Sequence, residues 1–309
     1  MRTNNGIIGP KQILGDEVAS GMFSLNGVGR ELATGWPSLK IGYSLGNITY
    51  MNKSLGDLGD SAPQGIDLSP DGTQLLLTGA ASDGFQQLSL RTPFDISTGY
   101  HVTSWTSSAE TTPFACRWGD NGYKAYLCGA ARDRISYVPL TTAYDISTAG
   151  TEVESDFLNT MNSPFSEANP TGLFFKPDGT KVFTCNSNYD KINEYSLTGD
   201  PWDISSGNLS FENEFSVNSQ ETDPQEICFK PDGTKFYVLG RYQSKVFQYS
   251  CSTPWDLSTA SYDTVSADID STLTGVNLAG MMLSVTGRKL YIVGIGNDTI
   301  YQYSIEADK

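Results

Sequence analysis

Five turn-like segments recur along this chain in one register, and a repeat of this length restricts the chain to a small set of architectures. Pro70-Asp71-Gly72, Pro177-Asp178-Gly179 and Pro231-Asp232-Gly233 are the clear copies, with Asp120-Asn121-Gly122 and Val285-Thr286-Gly287 as worn ones. Their glycines are spaced by 50, 57, 54 and 54 residues. A second marker follows the first four turns: Phe94-Asp95-Ile96-Ser97, Tyr144-Asp145-Ile146-Ser147, Trp202-Asp203-Ile204-Ser205 and Trp255-Asp256-Leu257-Ser258. A third marker precedes them, a proline nine residues before the glycine at Pro63, Pro113, Pro170 and Pro224.

Between these markers the apolar residues alternate as in strands. Ile66 and Leu68, Cys116 and Trp118, Leu173 and Phe175, Ile227 and Phe229, and Met281 and Leu283 sit two apart ahead of each turn, so each pair shares a face. The runs after the turns, such as Leu75-Leu76-Leu77 and Phe236-Tyr237-Val238, have no polar face, as in a strand covered on both sides. An Asp-Gly between two such strands makes a hairpin, the glycine taking positive φ without steric cost. A third strand carries Tyr195-Ser196-Leu197, Tyr249-Ser250-Cys251 or Tyr303-Ser304-Ile305, and a fourth lies beyond the Asp-Ile-Ser turn. Four antiparallel strands per repeat of roughly 50 residues predict an all-β, five-bladed β-propeller with a short N-terminal extension.

The register also predicts the axis and the closure. Seven residues before each turn glycine stand Gly65, Ala115, Gly172, Glu226 and Gly280, small as expected where innermost strands converge, with Glu226 the departure. The last repeat stops after three strands, whereas Ile48 to Leu58 resembles a fourth strand with no blade of its own. Joining the two completes the fifth blade and removes two exposed edges. Residues 39–309 are thus the propeller and residues 1–38 the extension. Ile41-Gly42-Tyr43-Ser44-Leu45 reads as a stray strand that leaves room for a partial sixth blade.

Composition narrows the partners. A net charge of −15 with a pI near 4.4 repels phosphate backbones and argues against nucleic acid. No apolar run reaches the length of a membrane span, and Met1 to Ala19 lacks the apolar segment of a signal peptide. Cys116, Cys128, Cys185, Cys228 and Cys251 are odd in number and dispersed, which predicts reduced, buried thiols in a chain folded in a cytoplasm.

Chemistry has few candidate groups. His101 is the single histidine and falls in an outer strand. No phosphate loop, nucleophile elbow or metal spacing is present, so neither a cofactor nor a metal is expected. On the innermost strands Asp67 and Glu226 are the acids, with Arg117 in the register of Asp67. A close pair of acids there would suit glycoside cleavage, as in the five-bladed glycoside hydrolases such a ring resembles. The repeated Asp95, Asp145, Asp203 and Asp256 fit turn-fixing side chains better than calcium ligands. Trp202 and Trp255 fit inter-blade packing or, at an exposed rim, stacking on sugars.

The extension carries Phe23, Leu25, Val28, Leu32 and Trp36, a weak, glycine-interrupted amphipathic set that suits either docking on a partner or a strap on the propeller's own face. Ser20-Gly21-Met22-Phe23-Ser24-Leu25-Asn26, followed by Gly35-Trp36-Pro37, resembles a short module of virion proteins in tailed bacteriophages. The repeat text, as in Lys230-Pro231-Asp232-Gly233-Thr234-Lys235, is similar to propeller repeats of phage and marine bacterial proteins. That resemblance implies a non-enzymatic structural protein of the virion, folded in the host cytoplasm and displayed on tail, fibre or capsid. It would be held to other virion proteins by its N-terminal segment. A lectin-like adhesin contacting host-surface glycans through Trp202, Trp255, Asp67, Arg117 and Glu226 is the alternative, and a glycoside-cleaving enzyme a third.

Overall fold

The computed structural model describes residues 43–158, 169–269 and 277–305, with the backbone of one strand pair, Ile13–Leu14 and Glu17–Val18. Five four-stranded antiparallel sheets follow one another around the ring. The first blade comprises Pro63–Leu68, Gln74–Gly79, Gly84–Leu90 and Gly99–Thr106. The second comprises Pro113–Gly119, Lys124–Gly129, Arg134–Pro139 and an outer strand reduced to Val153–Glu154. The third and fourth run from Pro170–Phe175 to Leu209–Ser216 and from Pro224–Phe229 to Ala260–Asp268. Leu278–Leu283, Lys289–Gly294 and Thr299–Ile305 make the fifth, and Ile48–Leu55 pairs antiparallel with Thr299–Ile305 to complete it. The five-bladed ring closed by an N-terminal strand is the architecture the repeat dictates.

Each turn is built by one packing unit. The hairpin glycines Gly72, Gly122, Gly179, Gly233 and Gly287 all hold positive φ, between 66° and 86°. A Cβ on Gly72 would meet the Phe94 ring at 2.5 Å, and the other four would meet Tyr144, Trp202, Trp255 and Tyr43 as closely. The aromatic of the second marker therefore lies flat on its own blade's turn, and only glycine admits it. The aspartate that follows accepts the amide two residues on: Ser97, Ser147, Ser205 and Ser258 donate to Asp95, Asp145, Asp203 and Asp256 at 2.9–3.2 Å.

Tyr43 in this set corrects the stray strand. Residues Tyr43 to Asn47 form the fifth copy of the aromatic turn, with a 3-10 helix at Leu45–Asn47 matching those at Ile96–Thr98 and Leu257–Thr259. Ser44 replaces the aspartate and makes no cap bond, which is why the copy is hard to see. The described residues contain no sixth blade.

The blades are also latched to one another. Gln87, Glu194, Gln248 and Gln302, each 15 residues after a turn glycine, accept the amides of Ile146, Leu257, Leu45 and Ile96 in the next blade. Tyr126, Tyr237 and Tyr291 donate their hydroxyls to the carbonyls of Trp202, Tyr43 and Phe94 across the same seams. Between the seams lie apolar clusters such as Leu68, Leu75, Leu88 and Phe94 of the first blade against Met282, Tyr291 and Ile300 of the fifth. All five cysteines are buried thiols. Among the described residues no helix is long and apolar enough to cross a membrane.

Candidate functional site

At the axis the innermost strands nearly touch. A Cβ on Gly65 would stand 2.6 Å from the Ala115 Cα, one on Gly172 2.9 Å from the Glu226 Cα, and one on Gly280 2.2 Å from the Gln64 carbonyl. Each strand carries a register shift at or beside this position, which lets its backbone approach its neighbour. Neighbouring blades are thus drawn together backbone to backbone at this level of the ring.

Arg117 closes the layer nearer the hairpins. Its Nη1 donates to the Ile66 carbonyl at 2.7 Å and the Cys116 carbonyl at 3.1 Å, and its Nη2 to the Ile227 carbonyl at 3.2 Å. The same Nη2 lies 3.0 Å from Glu226 Oε1. One guanidinium thus joins the first, second and fourth blades, and it is only 5% exposed. Phe174 of the third blade covers it, 5.8 Å from ring centre to guanidinium carbon.

The two acids differ sharply in environment. Glu226 is wholly buried; its Oε1 also accepts the amides of Leu173 and Ile227 at 3.0 Å, while Oε2 has no partner. Burial outweighs the pull of Arg117 and pushes its carboxyl up to about 7. Asp67 is half-buried, on the strand that leads into the first hairpin. It accepts the Leu68 amide at 2.9 Å and the Trp118 amide at 2.8 Å. Desolvation raises its pKa, and the charge of Arg117 and the two amides oppose that rise. Tyr144 stands near, its hydroxyl pushed up to about 12 by burial and by the Asp67 and Asp71 charges. The Tyr144 ring packs edge-on against Trp118, centroids 5.4 Å apart, and the Trp118 Nε1 has no acceptor.

The buried acid makes stability depend on pH. Glu226 holds its proton in the fold above its ordinary value near 4.5, so its contribution is whole below that value and disappears as pH rises through about 7. The shift corresponds to at most about 3 kcal/mol. Asp95, Asp178, Asp232 and Asp263 have lowered values, so their contribution is lost only on acidification and leaves this window alone. Melting temperatures should therefore fall from pH 5 to pH 8, and Glu226→Gln should flatten that slope. Equal slopes in both proteins would contradict the assignment.

Of the residues singled out in the sequence, Asp67, Arg117 and Glu226 converge, both acids within the field of one guanidinium. Trp202 and Trp255 do not join them. Trp255 is buried against Phe229 and Phe183, and the half-buried Trp202 packs against Phe175. His101 is on the outer strand Gly99–Thr106, bonded to Gln86 and Ser104. Phe23, Leu25, Val28, Leu32 and Trp36 lie outside the described residues. Among the described residues no three His, Cys, Asp or Glu side chains group as a metal site.

The opposite face has its own acids, which the sequence reading passed over. Asp60, Glu110 and Glu221 each stand three residues before the blade-opening proline. They accept backbone amides of their blade's next turn: Ser82 for Asp60, Ala131 and Arg132 for Glu110, Tyr242 and Gln243 for Glu221. The repeated acid-x-x-Pro spacing was the available signal, and it marks structure. An open cleft of about 460 Å³ between Asp57, Asp60 and Asp298 lies on that face, remote from the axial trio.

Residues 133–309, more than half of the chain, match the family described as lactonase, seven-bladed β-propeller. The chain belongs to the lactonase family. Its ring departs from the family description in closing with five blades. Among solved structures it is similar to a putative 6-phosphogluconolactonase from Bacteroides uniformis, at 16% identity and TM-score 0.46 over 79% of this chain and 68% of that one. It is similar to a periplasmic gluconolactonase from Pseudomonas aeruginosa, at 13% identity and TM-score 0.48 over 79% and 68%. A streptogramin B lyase matches at 12% identity and TM-score 0.42 over 85% and 74%. These distant likenesses have no weight on function; the family match does. No curated protein matches the chain.

Membership of a lactonase family corrects the expectation of a non-enzymatic virion protein, and with it the virion location and the phage resemblance. The physical reason is plain. Asp-Gly hairpins and aromatic-Asp-Ile-Ser turns report how a blade packs, whatever the propeller does, and the N-terminal module that pointed to phage spans fewer than 20 residues.

Proposed function

We propose that this protein is a hydrolase that opens a lactone ring, with Asp67 as the general base at the hairpin mouth of the axis. What supports the reading is the family match together with one contrast: of the two axial acids, Asp67 reaches solvent and Glu226 does not. A lactone needs no cofactor to open. A water held by Asp67 gives up a proton to the carboxylate as its oxygen bonds to the acyl carbon. The acyl–oxygen bond of the ring then breaks, the ring oxygen takes the proton, and a hydroxy acid results. Arg117 donates nothing to substrate, since both its Nη atoms are committed, but its fixed charge behind Asp67 favours the anionic intermediate. Glu226 holds Arg117 in place and is a positioning residue. A base held in a partly desolvated site works nearer to neutral pH than a free carboxylate.

The test is acid release from a panel of five- and six-membered lactones, followed in a pH-stat. Asp67→Asn keeps the side-chain shape and should lower kcat/KM by about 10²–10⁴-fold. In the parent protein kcat/KM should rise with pH through a value above the ordinary carboxylate range, because Asp67 acts only when ionised and its pKa is raised. Hydrolysis by Asp67→Asn at the parent rate would remove Asp67 from the reaction.

A further inference from the structure

The charges around Asp67 restrict what can enter. Its layer is completed by Phe174, Cys228 and Met282, each five residues before a turn glycine, and by Arg117, whose Nη donors are spent inside the protein. Asp67 stands on the strand that leads into the first hairpin, and four of the five hairpins carry an acid. Asp71 stands at the first hairpin and Asp120 at the second, 4.0 Å from Lys124, whose Nζ donates to the Trp202 carbonyl at 2.8 Å. On the third and fourth, Lys176 and Lys230 are each held 2.7 Å from Asp178 and Asp232 in their own turns. Arg288 of the fifth is likewise engaged. Among the described residues these hairpins offer no uncommitted cation to an anion, and the chain as a whole carries −15.

We infer that the site takes an uncharged lactone, not a phosphorylated one, and sheds the hydroxy-acid anion that the reaction makes from it. The inference rests on the reading of Asp67 as the base, and adds the substrate class. A phosphate ester at neutral pH has nearly two negative charges, and would meet Asp67 and Asp71 with only the buried Arg117, already facing Asp67 and Glu226 and with no donor to spare, to offset the repulsion. A neutral lactone meets no such barrier. Hydrolysis then converts it to a carboxylic acid that loses its proton to solvent, so the product is repelled by the field the substrate did not feel. The reaction therefore runs with a built-in release step, and the hydroxy acid should inhibit weakly.

The experiment compares glucono-δ-lactone with its 6-phosphate ester in the full-length protein, at low and at high salt. At low salt kcat/KM for the neutral lactone should exceed that for the ester by at least about 100-fold. Raising the salt should narrow the gap by accelerating the ester alone, because screening acts on the charged substrate. Gluconate should inhibit half-maximally only at concentrations at least about tenfold above the KM of the neutral lactone. Equal or faster hydrolysis of the ester overturns the inference and leaves Asp67 as the base untouched. Hydrolysis of neither lactone above the Asp67→Asn rate sinks both.

Discussion

Arg117→Met should destabilise the propeller by about 3–5 kcal/mol, read as a shift in the urea midpoint at constant slope. The substitution keeps much of the side-chain volume and removes the charge. Glu226 loses the charge that opposes its desolvation and is left with a buried carboxyl group, forced to keep its proton, that two amides hold on one oxygen and nothing holds on the other. Three carbonyls, those of Ile66, Cys116 and Ile227, lose their donor in the same step. Unpaired buried groups are costly in a way that a missing apolar contact is not. A second change separates the two effects. Adding Glu226→Leu to Arg117→Met removes the orphaned acid, and the pair should recover part of the loss even though it is the larger alteration of the axis. A single mutant within about 1 kcal/mol of the parent would show that the axial pair contributes little net stability.

Removing residues 1–55 is expected to be as severe. It strips the outer strand Ile48–Leu55 from the fifth blade and exposes the edge of Thr299–Ile305. It also takes Tyr43 and Leu45 from the cluster that includes Tyr237, Leu290 and Tyr303. Gln248 loses the Leu45 amide and the Tyr237 hydroxyl loses the Tyr43 carbonyl, so the seam between the fourth and fifth blades fails with the edge. Loss of two large buried side chains alone costs at least about 4 kcal/mol, a fall in Tm on the order of 10 °C for a domain of this size. Light scattering should show association through the bare edge. A peptide of residues 43–57 supplied in trans should restore the monomer, which distinguishes a missing strand from a chain that is simply damaged. An unassociated truncated protein that melts with the parent would rule out the closing strand as a structural element.

How much of this was legible in the sequence depended on whether neighbours in space were neighbours in the chain. The hairpin glycines and the aspartates of the aromatic turns act within a few residues, so the repeat displayed them directly. Tyr43 serves Gly287 at the far end of the chain, and with Ser44 in place of the aspartate its turn passed for a strand. The register placed Asp67, Arg117 and Glu226 on innermost strands. It did not say that a long side chain from the second blade would cross to carbonyls of the first and fourth and bring both acids to one charge. The family is hidden from the sequence for a related reason. Repeated text is the text of packing, whereas the register position of Asp67 holds Arg117, Phe174, Cys228 and Met282 in the other blades, and a position that never repeats has no spacing to announce it.

The closing strand has a consequence for synthesis. Thr49 and Ser304, which meet across the last seam, are 255 positions apart. A ribosome adding roughly 5–20 residues per second makes the first of these strands on the order of ten seconds or more before its partner exists. The blades in between can each hairpin locally as they emerge, but the ring stays an open arc with two bare edges until Thr299–Ile305 leaves the exit tunnel. Closure of the ring is therefore one late, long-range event, and a growing chain of this protein is most exposed to strand capture by its neighbours on a polysome just before Thr299–Ile305 emerges.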